Sequence, residues 1–129
     1  MASKPTQRSL AYLRKNGWTV CIVEKFLPAR GGMPFPRRID AFNFGDLLAC
    51  RSRHVEHDKE GGDYIACVKE IALIQTTDHS SFSKHKDKIL SIPEFQEWKN
   101  AGGITLLHGW GKRGPRGKAK RWTLREEVL

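Results

Sequence analysis

Cysteine is scarce, and the three present (Cys21, Cys50, Cys67) are odd in number, far apart and set in apolar segments. Neither a disulfide framework nor a zinc site can be derived from that spacing. Buried free thiols are the expected state of all three. Acidic residues are also few: 14 Asp and Glu stand against 23 Lys and Arg, for a formal net charge of +9. A balance that basic points to a polyanionic partner, nucleic acid first, the more so because the cations are unevenly placed along the chain. No apolar run approaches the roughly 20 residues needed to cross a bilayer, so no membrane partner is expected. The start, Met1-Ala2-Ser3-Lys4-Pro5, leads into polar sequence rather than a signal peptide, and a cytosolic location, bacterial or phage-infected, is expected. No repeat and no low-complexity segment is evident. What is present, 39% hydrophobic and 29% charged residues over 129 positions, suits one folded domain, 1–129, rather than a disordered chain.

Helical spacing opens the chain at Leu10, Tyr12 and Leu13, and Gly17 stands where a helix commonly ends. Trp18 to Glu24 is β-branched and aromatic, hence a strand. Pro28, Gly31, Gly32, Pro34 and Pro36 make a loop that Arg37 and Arg38 close. The segment Ile39 to Cys50 ends in a strand buried on both faces. A polar loop is read from Arg51 to about Tyr64, with Gly61-Gly62 in it, and a second apolar strand over Ile65–Gln75. Pro93 divides the helical stretch from Ser80 to Asn100 into helices near Ser81–Leu90 and Pro93–Asn100, because the residue before proline leaves the helical region while proline itself suits a first turn. Ile104–His108 is a strand. A glycine-rich basic hairpin, Gly109–Lys118, leads to a last strand near Lys120–Arg125. The order predicts an α/β or α+β fold: a central mixed β-sheet flanked by helices.

Chemistry concentrates where two apolar strands end. Asp46 stands just before Leu47-Leu48-Ala49, and Gln75-Thr76-Thr77 comes directly after Ile71-Ala72-Leu73-Ile74. A carboxylate beside such a run costs several kcal/mol unless a partner or a metal compensates it. Mg²⁺ takes oxygen ligands, so a carboxylate on one strand and side-chain oxygens on its neighbour can share one ion, which can activate water and neutralise charge on a phosphate.

These residues resemble a known pattern. Helix, strand, Gly45-Asp46 strand, a strand ending in a polar triplet, then a helix is similar to the PD-(D/E)XK nuclease core. The opening Arg8-Ser9-Leu10 to Gly17-Trp18 resembles that of archaeal-type Holliday junction resolvases. Ile39 to Ala49, Gln75-Thr76-Thr77 and the later Gly109-Trp110-Gly111-Lys112 resemble small phage nucleases of the same superfamily. The likeness runs over roughly residues 8 to 125 and implies a restriction-endonuclease-like core and metal-dependent cutting of DNA phosphodiesters, structure-selective as in junction resolvases. It places the metal, Mg²⁺ or Mn²⁺, on Asp46 with the Gln75 oxygen and a backbone carbonyl near Thr76, and catalytic roles on Asp46, Gln75, Thr77 and Lys88. Two positions depart from the pattern: the second acidic residue is Gln75, which brings no charge, and the lysine is Thr77, which brings no cation. Lys84 and Lys88 on the next helix are the candidates to replace it. A glutamate expected on the first helix is absent there; that region carries Gln7 and Arg8. Resolvases act as two-fold dimers, so the likeness also implies a homodimer.

Other features have plainer readings beside them. Asp46 can cap a turn after Gly45, and Gln75 and Thr77 can be ordinary strand-end polar residues. Asp40 is either a second ligand or an ion-pair partner of Arg37 or Arg38, the ion pair being favoured. His79 is a candidate base or ligand, though a lone histidine is more often a surface residue. His54, Glu56, His57 and Asp58 read as a solvated loop. Lys112, Arg113, Arg116, Lys118, Lys120 and Arg121, with Arg125, form a run of cations without an acid. Together with Arg37, Arg38 and Lys84 they are the expected phosphate contacts, with Trp110 and Trp122 either stacking on bases or packed inside, Trp122 being expected in the core. The rival functions are a non-catalytic nucleic-acid binder on the same fold and a basic accessory protein for RNA or an acidic protein.

Overall fold

The computed structural model describes residues 2–31, 35–59 and 62–129, and of residues 54–59 and 62–66 the backbone alone. Helix α1 (Lys4–Lys15) begins where the Ser3 hydroxyl accepts the Thr6 N–H at 3.3 Å, with proline in the first turn and Arg14 and Lys15 in the last. It ends in a Schellman motif: Gly17, at φ +85°, donates its N–H to the Arg14 carbonyl, and Trp18 donates to Leu13. Leu13 and Trp18 then meet in the same core cluster.

Strands β1 (Thr19–Ile22), β4 (Leu47–Lys59), β5 (Gly62–Asp78), β6 (Ile104–Arg113) and β7 (Arg121–Val128) form one sheet in the order β1-β4-β5-β6-β7. Strands β2 (Lys25–Leu27) and β3 (Arg37–Ile39) pair as a separate antiparallel ribbon. All neighbours in the large sheet are antiparallel except β5 and β6, which run parallel. The parallel pair requires a crossover, supplied by α2 (Phe82–Ser91) and α3 (Pro93–Asn100). Ile92 sits between them in extended conformation, φ −93° and ψ 140°, as the adjoining proline demands. The fold is α+β, a five-stranded mixed sheet flanked by three helices.

Side-chain alternation explains the unbroken apolar runs. Leu47, Ala49, Ala72, Ile74 and Leu106 point to α1 and join Leu13, Trp18 and Val20. Leu73 and Leu107 point the other way, onto Phe82, Ile89 and Phe95 of α2 and α3. A strand with helices on both faces has no polar side, so alternation vanishes.

Three expectations change. Most of the segment read as a loop is strand: Arg51–Lys59 in β4 and residues 62–64 in β5, the two strands pairing from Leu47↔Ile74 to Lys59↔Gly62. This ribbon runs beyond β1, which pairs only with Leu47–Cys50, and beyond β6, which begins opposite Ala72, so its polarity reflects a lack of neighbours. The three thiols are exposed, not buried. Cys21 and Cys50 share the α2–α3 side of the sheet, but those helices lie over β5 and β6 and leave the β1 edge uncovered. Trp122 is 48% exposed on edge strand β7, with the Arg8 guanidinium 3.5 Å from its ring centre. Trp110, by contrast, is engaged: its Nε1–H donates to Ser9 Oγ at 2.8 Å and its ring meets Tyr12 edge-on.

Ser9 also joins the fully buried His108, whose Nδ1 lies 2.9 Å from Ser9 Oγ and whose Nε2 lies 2.7 Å from Glu126 Oε2. The hydrogen bond with His108 holds the Glu126 carboxyl below its ordinary value. One hydroxyl thus ties α1 to β6 and, through His108, to β7. Ser9→Ala should destabilise the protein by about 1–3 kcal/mol, because it leaves two ring nitrogens without a partner inside the protein. Urea unfolding measures this, and an unchanged midpoint would show that the network contributes nothing net.

Candidate acidic centre and its basic surround

Asp46 lies one residue before β4, directly across from Gln75, and its N–H donates to the Ile74 carbonyl at 2.9 Å. Its own carbonyl receives Val23 N–H at 3.0 Å and Glu24 N–H at 3.3 Å, which draws Glu24 alongside. The preceding turn closes by paired bonds between Ala41 and Gly45, with Phe42 at φ 51° and Asn43 at φ 66°. Asparagine tolerates the left-handed region; phenylalanine seldom enters it, and such local strain is typical of segments that aim a functional side chain. Here the turn returns Asp40 to the side of Asp46.

The outcome is a group of three carboxylates, Glu24, Asp40 and Asp46, each offering an oxygen within 4.8 Å of the others. Among the described residues no other group of three metal-ligating side chains is found. Asp46 is 4% exposed. Its Oδ2 accepts from Gln75 Nε2 at 2.8 Å, Thr76 N at 2.8 Å and Thr76 Oγ1 at 3.0 Å. Since Thr76 spends its proton on Asp46, the 2.8 Å bond between Thr76 and Thr6 is donated by Thr6, which ties the first helix to the centre. Even so, desolvation pushes the Asp46 carboxyl up to about 8; the Thr76 N–H works against this, and Asp40 and Glu24 add to it. Glu24 is partly compensated by Arg38, 3.2 Å away.

Of the residues singled out from sequence, Asp46, Gln75 and Thr76 come together here, and Thr77 is buried one residue beyond. Gln75 turns its amide nitrogen, a donor, to Asp46. Asp40 joins the carboxylates, and Glu24 forms an ion pair with Arg38. Glu24 escapes a reading of the sequence: an acid closing an apolar strand beside Lys25 carries no motif, and only the Asp46 carbonyl brings it in. Lys88 is exposed on α2 and, with Arg37, Arg38, Asp40 and Asn43, lines a cleft of about 600 Å³. Lys84 is exposed on the same helix. His54, Glu56, His57 and Asp58 have side chains outside those described.

The sheet register places the remaining cations. Gln75, Thr76 and Thr77 lie opposite Leu107, His108 and Gly109, so β6 continues past the acidic centre toward Lys112 and Arg113 and returns through β7 from Arg121. Lys112, Arg113, Arg116, Lys118, Lys120 and Arg121 are all exposed. They leave the sheet at the end where Asp46 sits, while Arg37 and Arg38 flank it from β3. An acidic centre built around the buried Asp46 thus lies at one end of the sheet, with cations on two sides. Comparison with protein-family models, with curated proteins and with solved structures finds no match to this chain. Among the described residues no helix is long and apolar enough to cross a membrane.

Proposed function

We propose that the protein is a divalent-metal-dependent endonuclease that hydrolyses DNA phosphodiester bonds, with a centre of the PD-(D/E)XK kind. The observation that carries this reading is the group Glu24, Asp40 and Asp46, closely spaced, with Asp46 buried and the other two half-buried, between two basic surfaces. Three carboxylates at that spacing repel one another, and burial above all, with Asp40 and Glu24 adding to it, pushes the Asp46 carboxyl up, a cost of ionisation that a bound cation would offset. A hard cation fits such an all-oxygen donor set, so Mg²⁺ or Mn²⁺ would be held by these three side chains. When bound, the ion supplies a water of lowered pKa and neutralises charge on the phosphate. Gln75 and Thr76 fix the Asp46 carboxylate. Lys88, Arg37 and Arg38 line the approach, and the β6–β7 hairpin takes the flanking backbone.

The test is cleavage of labelled linear duplex, single-stranded and four-way-junction DNA in Mg²⁺ or Mn²⁺. Cutting that EDTA abolishes is expected, and the substrate cut best identifies the preferred structure. A second reading, a non-catalytic nucleic-acid binder, is favoured by Gln75 and Thr77, which supply neither a carboxylate nor a cation. Tight, salt-sensitive binding with no cutting of any substrate in either metal would establish it.

A further inference from the structure

His79 comes directly after β5 and continues its alignment with β6, its N–H donating to the Trp110 carbonyl at 3.1 Å. By alternation it shares a sheet face with Gln75 and Thr77. Its ring fills space that Gly111 leaves on β6: a Cβ there would come within 2.3 Å of Nδ1 and 2.6 Å of Cγ. In that slot Nδ1 is 3.1 Å from Nε of Arg113. A guanidinium only donates, so Nδ1 carries the lone pair and the ring proton is on Nε2. Nε2 is itself buried with no hydrogen-bond partner. Burying a ring N–H unpaired is unfavourable, and buried polar groups left so call for an explanation. Among the described residues Arg113 is the polar side chain the ring engages, and the slot sets His79 to hold it.

Arg113 ends β6, is exposed, and belongs to the cationic hairpin. With Nε held by His79, its two terminal nitrogens remain for the planar, two-pronged contact that phosphate favours. We propose that His79 is a positioning residue that pre-orients Arg113 to take a nucleic-acid phosphate beside the acidic centre, an inference that rests on the nucleic-acid reading above. His79 is four residues beyond Gln75, about 13 Å along an extended strand, so Arg113 serves a neighbouring phosphate and not the one next to Asp46. Ordering a long flexible side chain opposes binding, and doing so before the ligand arrives removes that opposition.

The experiment is the affinity of the full-length protein for fluorescent single-stranded and duplex oligonucleotides, without metal, over a range of salt. Arg113→Ala should weaken binding about 10-fold and lower the salt slope by about one phosphate. His79→Phe keeps an aromatic ring and removes the acceptor; it should weaken binding about 3- to 10-fold with the slope unchanged. His79→Gln, which restores an acceptor, should recover part of the loss. Adding His79→Phe to Arg113→Ala should change nothing further, since the two act as one unit. Equal weakening by His79→Phe with and without Arg113 would reduce His79 to a packing residue and overturn the inference. So would an Arg113→Ala variant with wild-type affinity and slope, and that variant is at an exposed site where folding is not at risk. Wild-type protein that binds neither oligonucleotide would remove the nucleic-acid reading as well, whereas binding that ignores Arg113 removes this inference alone.

Discussion

Asp46→Asn should reduce metal-dependent cleavage by about three orders of magnitude, since the charge stabilisation a bound ion supplies is worth several kcal/mol and each 1.36 kcal/mol is tenfold in rate. Asparagine keeps the shape of the side chain and an oxygen that can accept from the Thr76 N–H, so the β4–β5 junction should persist. What it loses is the charge, at the carboxylate that the protein grips with three donors. Asp40→Asn and Glu24→Gln should impair cleavage less, by about 10- to 100-fold, because two carboxylates remain for the ion. Within that pair the two differ in kind: Glu24 also answers Arg38, so its loss disturbs the basic rim as well. DNA affinity measured in EDTA should stay within about twofold of wild type for Asp46→Asn and Asp40→Asn, because phosphate contacts, not the acids, carry binding. Single-turnover cleavage beside equilibrium binding separates the effects. An Asp46→Asn variant that cuts as fast as wild type would place the chemistry elsewhere; one that neither binds nor cuts would show that Asp46 serves folding.

The parts of the fold that sequence reveals are those where a local rule and the tertiary structure agree. Gly17 ends α1 because a Schellman turn needs its positive φ, and Pro93 divides α2 from α3 because of what proline does to Ile92. Both rules act within a few residues. The outer half of the β4–β5 ribbon is hidden in the sequence because its partners are each other: beyond the reach of β1 and β6 polar residues suffice, and polarity reads as loop. Trp122 and the cysteines mislead for the opposite reason. Their apolar character suggests burial, yet Trp122 and Cys21 stand on edge strands β7 and β1, Cys50 lies next to the β1 edge, and Cys67 lies on the part of β5 beyond β1 and β6. Within the candidate site, Asp46 and the triplet Gln75-Thr76-Thr77 are legible because they interrupt apolar runs. Glu24 is not, because it enters through a backbone hydrogen bond to Asp46 that no spacing encodes. His79 stands out in the sequence only as a lone histidine. Its slot depends on Gly111, about thirty residues on, and becomes visible once β5 and β6 are paired.

Metal-free protein should lose stability as pH rises from about 6.5 to 8, and Asp46→Asn should abolish most of that loss. Unfolded, Asp46 gives up its proton near 3.8; folded, it keeps it up to about 8. Between those values the folded chain holds a proton that the unfolded chain has released, so each rise in pH favours unfolding. The slope is at most about 1.4 kcal/mol per pH unit for one proton, and the contribution, full below 3.8, is gone above 8. Glu70, Asp78 and Glu126, held below their ordinary values, act in the opposite sense and only in acid, where stability is lost as they protonate. Burial lowers His85 from 6.5, which adds stability as pH rises to that value and nothing beyond it. The window above 6.5 therefore belongs to Asp46. Millimolar Mg²⁺ or Mn²⁺ should raise the melting temperature most at the alkaline end, since ion and proton compete for the same oxygens. At pH 7.5 without metal, Asp46→Asn should melt higher than wild type, and metal should no longer raise it. A wild-type melting temperature that ignores both pH and metal in this window would mean that the carboxylates are neutralised from within the protein, by Arg38 and its neighbours, and the metal centre would be excluded even if the fold and its basic surfaces still bind DNA.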